Sequence, residues 1–241
     1  MFVFYVSLSL STMEEDAEMY KAMPLGTTFK RNDVLPPKQT KGLIVRVDDK
    51  ESDRAPINIQ FKYDLLSMKG CYCQKVGERI NWTEAINYIC TENDILTAVK
   101  EKALKETLSN LQTYFKRMLN VRHTDVTDTV PGISSDSDHL VTISTATFST
   151  KTLGFSSLKN FHKLTLRPVE SAITFSISYL PTEAQNYDTK DRFFFNLCVH
   201  EVIHSLGLVD FLYPHYIDKS TGMPYEKAKI TFKRGAINKN F

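Results

Sequence analysis

Between Asp191 and Asp210 the chain reads DRFFFNLCVHEVIHSLGLVD, and within it His200, Glu201, His204 and Gly207 form the pattern HExxHxxG. On a helix, a rise of about 1.5 Å per residue sets the two imidazoles on one face about 6 Å apart along the axis, a spacing one metal ion can bridge. Zinc accepts neutral imidazole nitrogen, and a catalytic zinc site uses three protein ligands while keeping a fourth position for water. Glu201, on nearly the same face as His204, is placed to take the proton of a water that the metal has made acidic. Gly207 predicts where the helix stops: with no Cβ it adopts positive φ at low cost and turns the chain back. Three residues later Asp210 becomes the candidate third ligand, through oxygen.

The competing reading is a His–Glu pair that is only a hydrogen-bonded element of a buried helix. Phe193, Phe194, Phe195, Leu197, Val199, Val202, Ile203 and Leu206 make the segment apolar on most sides, as expected of a helix inside a domain rather than on its surface. Asp188 or Thr189 is the expected N-cap, with Asp191 in the first turn, where the helix dipole favours a carboxylate. Cys198 lies off the two-histidine face and reads as a small buried apolar residue, not a ligand.

The rest of the chain must supply the frame. Its 241 residues, 42% hydrophobic, are enough for a real core. Thirty basic residues against 28 acidic give a net charge of +2, which speaks against nucleic acid or an anionic membrane surface as partner. No apolar run is long enough to span a bilayer. Residues 1–12, MFVFYVSLSLST, read either as a clipped signal segment or as a buried strand, and residues 13–54 as a polar lead-in to a domain at 55–241. The four cysteines, Cys71, Cys73, Cys90 and Cys198, are compatible with disulfides without demanding them. Asn81-Trp82-Thr83 is an N-glycosylation sequon and favours the secretory route.

Ile57 to Leu66 alternates as a half-buried strand does. A loop carrying Gly70, Cys71, Cys73 and Gly77 follows. Thr91 to Asp94 resembles a capping box, and Leu96, Val99, Leu104, Leu108, Leu111, Phe115 and Met118 mark the apolar stripe of a helix over Asp94 to Leu119. Lys100, Lys102, Lys105 and Lys116 fall on its outer face. His123 to Asp138 is a polar loop. Leu140 to Phe148 and Ala172 to Tyr179 are the next strands, the second ended by Pro181. Strand, long helix, strand, strand and metal helix in that order predict an α+β fold, with helices on a twisted mixed sheet. An edge strand beside the metal cleft would accept an extended peptide by strand addition.

Four blocks together carry a resemblance: Cys73-Gln74-Lys75-Val76-Gly77, then Tyr88 to Thr91 leading into Asp94-Ile95-Leu96, then Arg167-Pro168-Val169, then Val199 to Gly207. From about Ile57 to Tyr216 the chain resembles the leishmanolysin-like surface zinc metalloproteases, a family of the metzincin class. The resemblance implies a zincin-type domain with zinc held by His200 and His204, and Glu201 as catalytic base. It also implies a disulfide between Cys73 and Cys90 that closes a loop containing Asn81. Further implied are protein or peptide substrates, a secreted or surface-attached location, and a link to cell adhesion.

The C-terminal part departs from the family's pattern. In the family a long insertion separates the helix from a third zinc-binding His, and a Met-turn follows. Here His215 is the sole downstream His and Met223 the sole downstream Met. Asp210 or His215 completes the site, or the C-terminal part is incomplete and the site lacks a third ligand. The expectation is therefore a zinc metalloendopeptidase. The alternative is an inactive or truncated surface protein of the same fold, acting in adhesion or binding.

Overall fold

The computed structural model describes residues 54–67, 70–123, 126–162, 167–209, 212, 217–218 and 223–224. The expected signal segment 1–12 and almost all of the lead-in lie outside these residues, as do Asp210 and His215.

The centre is a four-stranded mixed sheet built from β2 (Ile59–Ser67), β6 (His139–Ala146), β8 (Pro168–Ser176) and β7 (Gly154–Phe161), in that spatial order. β2, β6 and β8 run parallel, and β7 closes one edge antiparallel to β8. Parallel neighbours need a long crossover. Helix α1 (Ala98–Met118) lies in the connection from β2 to β6. β6 is buried along almost its whole length, as suits the β-branched run of a central strand. Val141, Ile143, Ile173 and Phe175 of the sheet meet Leu104, Leu108, Leu111 and Phe115 of α1 in one core, which also takes in helix α2 (Phe193–Ser205), the carrier of the HExxH motif. Full burial of such a side chain contributes about 1.5–3 kcal/mol. This mixed α+β architecture is the one expected.

Several boundaries differ from expectation, each for a local reason. Helix α1 begins at Ala98, not Asp94, because the Asp94 carboxylate is occupied earlier. It accepts from the Thr91 backbone N–H at 2.8 Å, the Thr91 hydroxyl at 2.6 Å and the Tyr88 hydroxyl at 2.9 Å, around a 3-10 turn at Glu92–Asp94. Thr97 is the actual N-cap, its hydroxyl accepting from the Lys100 backbone N–H at 3.2 Å. Lys100 is not on the outer face: its ammonium is drawn inward and donates to the carbonyls of Asn93 at 2.6 Å and Ile177 at 3.2 Å. Val99 and Met118, assigned to the apolar stripe, are exposed instead. β8 starts at Pro168 and ends at Ser176, where a 3-10 turn, Ile177–Tyr179, takes over before Pro181 is reached.

Seven of the described strands have no counterpart in the sequence reading. β1 (Arg54–Pro56) pairs with β5 (Asn120–Arg122) across the ends of α1 and β2. The cysteine loop contains a hairpin, β3 (Arg79–Trp82) and β4 (Ala85–Ile89), stapled at its base by a Cys73–Cys90 disulfide. The hairpin rests on the end of β6: the Trp82 indole N–H donates to the Thr147 carbonyl at 2.9 Å, and its ring tilts against Phe148 at 5.6 Å. β7 went unread because GFSSLKNF has little alternation and few β-branched residues. Gly154 admits the close pairing at its start, since a Cβ there would lie 3.1 Å from the Thr174 carbonyl oxygen. Beyond α2, β9 (Ile217–Asp218) pairs with β10 (Met223–Pro224). Among the described residues, no helix is long and apolar enough to cross a membrane.

Candidate metal centre

Helix α2 packs across β7 and β8 and against α1. Its N-terminal end is fixed by Phe194, whose ring tilts over Phe175 of β8 at 5.2 Å, and by Phe195, edge-on to Tyr114 of α1 at 5.6 Å. The expected N-caps do not cap it. Thr189 is engaged in a turn with Asn186, and the helix starts two residues after Asp191 with no side-chain cap from Arg192. Gln185 supplies a bond instead: its side-chain oxygen accepts from the Phe195 backbone N–H at 3.0 Å. Gln185 is itself tied to α1, its backbone N–H donating to Thr107 at 2.9 Å and its carbonyl accepting from Asn110 at 3.0 Å. No local sequence signal marks this non-local bond.

One turn from the helix end, His200 and His204 come together. Their rings are perpendicular with centroids 4.4 Å apart, and their Nε2 atoms are 2.9 Å apart. His204 Nδ1 lies 2.7 Å from the Leu208 carbonyl oxygen. A carbonyl only accepts, so Nδ1 carries the hydrogen and Nε2 is left with its lone pair. In the contact between the rings, His200 Nε2 is then the donor. An imidazole whose Nδ1–H is held by a backbone carbonyl and whose Nε2 is free to ligate is the usual arrangement of a metal-binding histidine. Two nitrogens on one tetrahedral zinc stand about 3.3 Å apart, so the pair needs to open by only about half an ångström to hold the ion. Two imidazole nitrogens are a donor type that zinc accepts, and His200 would ligate through Nε2 once its hydrogen sits on Nδ1.

The Leu208 carbonyl reaches His204 because of how the helix ends. Gly207 has φ of 107°, its N–H donates to the His204 carbonyl at 2.9 Å, and the Leu208 N–H donates to the Ile203 carbonyl at 3.2 Å. This pair of bonds is the Schellman termination, which satisfies the last carbonyls of the helix. Gly207 is required for space as well as for φ: a Cβ there would lie 3.0 Å from Cγ of Pro168 and 3.5 Å from Leu212. Past the turn, Val209 and Leu212 are buried against Leu158 and Phe161 of β7.

Glu201 is 4% exposed and shares the inner side of α2 with Cys198, one turn earlier. Burial, and then the Glu201 charge, push the Cys198 thiol well above its ordinary range, so it stays a neutral thiol. That suits the packing role expected of it and not ligation. Among the described residues, no three His, Cys, Asp or Glu side chains gather as a metal-binding group, and the two candidate third ligands lie outside those residues. Asn81 is exposed near the end of β3, on the stapled hairpin.

Gln185, Pro168 and the Leu208 carbonyl are the positioning groups that sequence reasoning missed. Pro168 alone left a trace, as part of the Arg167-Pro168-Val169 block.

No curated protein matches the chain. A family model described as leishmanolysin, a peptidase family, matches residues 38–225. That span includes the central sheet, both helices and the stapled hairpin, and with them the two-histidine turn. The chain belongs to the leishmanolysin family of metalloproteases.

Proposed function

We propose that this chain is a zinc metalloendopeptidase whose metal is held by His200 and His204. The observation that carries the reading is the convergence of the two Nε2 atoms at 2.9 Å, with the His204 tautomer set by the Leu208 carbonyl. Bound zinc would supply a Lewis acid that polarises the scissile carbonyl and lowers the pKa of water to about 7. Asp210 is the proposed third ligand, with His215 the other candidate. Glu201 takes the proton of the attacking water and delivers it to the departing amine. The edge strand β7, packed directly against α2, offers backbone groups along which an extended peptide can lie.

The stapled hairpin supports a secreted or surface location. A disulfide persists in oxidising compartments, and the sequon residue Asn81 is exposed and open to N-glycosylation. A link to cell adhesion rests on the family resemblance alone. Glu201→Ala tests the chemistry: kcat/KM on a peptide substrate falls by about 10²–10⁴-fold while zinc content is unchanged. Loss of zinc along with activity would make Glu201 a structural residue and remove it from the mechanism. An inactive but well-folded wild type would leave the adhesion or binding reading in its place.

A further inference from the structure

One buried titratable group is not used by the site described above. His139, the first residue of β6, is 1% exposed. Its Nδ1 lies 3.2 Å from the Pro168 carbonyl oxygen and its Nε2 2.9 Å from the Ser171 hydroxyl. Because the carbonyl only accepts, Nδ1 carries the hydrogen and donates, and Nε2 accepts from Ser171. The ring therefore ties the start of β6 to the first residues of β8. An apolar side chain would fill the same volume without the cost of burying a polar ring. What the imidazole adds is a directed bond to one carbonyl.

That carbonyl belongs to the proline on which the metal helix ends. The Pro168 ring is the surface nearest Gly207, leaving no room for a Cβ. The next residue, Leu208, presents its carbonyl to His204 Nδ1 at 2.7 Å. The contacts run without a gap from His139 through Pro168 and Gly207 to Leu208 and His204. We propose that His139 is a positioning residue for the histidine pair: by fixing Pro168 it seats the Gly207 turn, and so sets the Leu208 carbonyl that selects the His204 tautomer. This rests on the metal-site reading above, but its first effect is on the metal-free chain.

Two substitutions separate direction from packing. In His139→Asn the side-chain amide nitrogen takes the place of Nδ1 and keeps the donor to Pro168. In His139→Gln it takes the place of Nε2, and that donor is lost. Both put an amide in place of the ring, and Asn is the smaller by one methylene, so a merely structural role predicts that His139→Asn is disturbed at least as much as His139→Gln.

The readouts are the ¹⁵N shifts of the His204 ring in the metal-free chain and Co²⁺ titration followed by its visible bands. The proposal expects His139→Gln to convert His204 from a single Nδ1–H tautomer to a mixture and to weaken Co²⁺ binding about tenfold, with His139→Asn within about twofold of wild type. Equal behaviour of the two variants, or an unmoved His204 tautomer in His139→Gln, would overturn it. If wild type binds no Co²⁺, the metal reading fails while the tautomer comparison still decides the positioning role. Should either His139 variant not fold, Pro168→Ala removes the ring against Gly207 and leaves His139 in place. Mixed tautomers at His204 in that variant support the proposal, and a single unchanged one overturns it.

Discussion

The stapled hairpin and the end of helix α2 are both short elements held to the same sheet, and they are held by different means. The hairpin has a small core of its own, Ile80 and Ala85 with the two half-cystines, and leaves Val76, Ile86 and Ile89 exposed. So little buried apolar surface cannot offset the entropy of ordering the loop, and a covalent bond between Cys73 and Cys90 makes up the difference. Helix α2 buries Phe194, Phe195, Val199 and Val202 in the main core, so its position is already secured. What packing cannot do is choose a ring orientation or a tautomer. For that the chain uses Gly207, Pro168 and one carbonyl. Bulk position comes from area, and chemical orientation from a few directed contacts.

The contrast can be broken at either region. Removing the staple in a Cys73→Ser/Cys90→Ser variant should lower stability by about 3 kcal/mol, read from urea unfolding, while metal content stays at the wild-type level. A loss of bound metal there would mean that the two regions are not independent. Gly207→Ala forces a Cβ against Pro168 at positive φ. It should cost about 1–3 kcal/mol and, unlike the cysteine variant, also weaken zinc binding.

The smallest effect is a pH dependence from His139. Burial, with a smaller contribution from the Arg167 charge and against its bond to Pro168, pushes its pKa from 6.5 down to about 4. Below about pH 6.5 the unfolded chain binds a proton that the folded chain refuses until about pH 4. Stability from this group is therefore complete above 6.5 and falls as the pH falls, by about 2 kcal/mol at pH 5. Urea midpoints at pH 7 and pH 5 should differ more for wild type than for His139→Asn. Equal differences would mean that His139 is not held neutral.

The same division between area and direction explains what could be read in advance. Helix α2 was legible as an apolar helix because Phe194, Phe195, Val199 and Val202 bury a wide face, and its end because a positive φ selects glycine at Gly207. The stripe of α1 and the β-branched run of β6 were legible because both bury wide apolar faces. β7 was not, because an edge strand packed on one side tolerates Gly154, Ser156, Lys159 and Asn160. The hairpin was hidden by a register shift and by Asn87, which has φ of 51°, so its alternation is interrupted. Thr91 and Asp94 formed the cap that was read, but on a 3-10 turn just ahead of the helix. Gln185 and the Leu208 carbonyl act through tertiary neighbours, where one-dimensional spacing carries no information.

The central claim is that His200 and His204 hold a metal ion. Elemental analysis of the purified chain beside its His204→Ala variant tests it most directly. The account predicts close to one zinc per wild-type chain and a loss of about 10²-fold or more in affinity for the variant, with the fold intact by circular dichroism. A folded wild type without zinc, or a variant that keeps it, would contradict the account and leave the histidine pair as a hydrogen-bonded element of the helix.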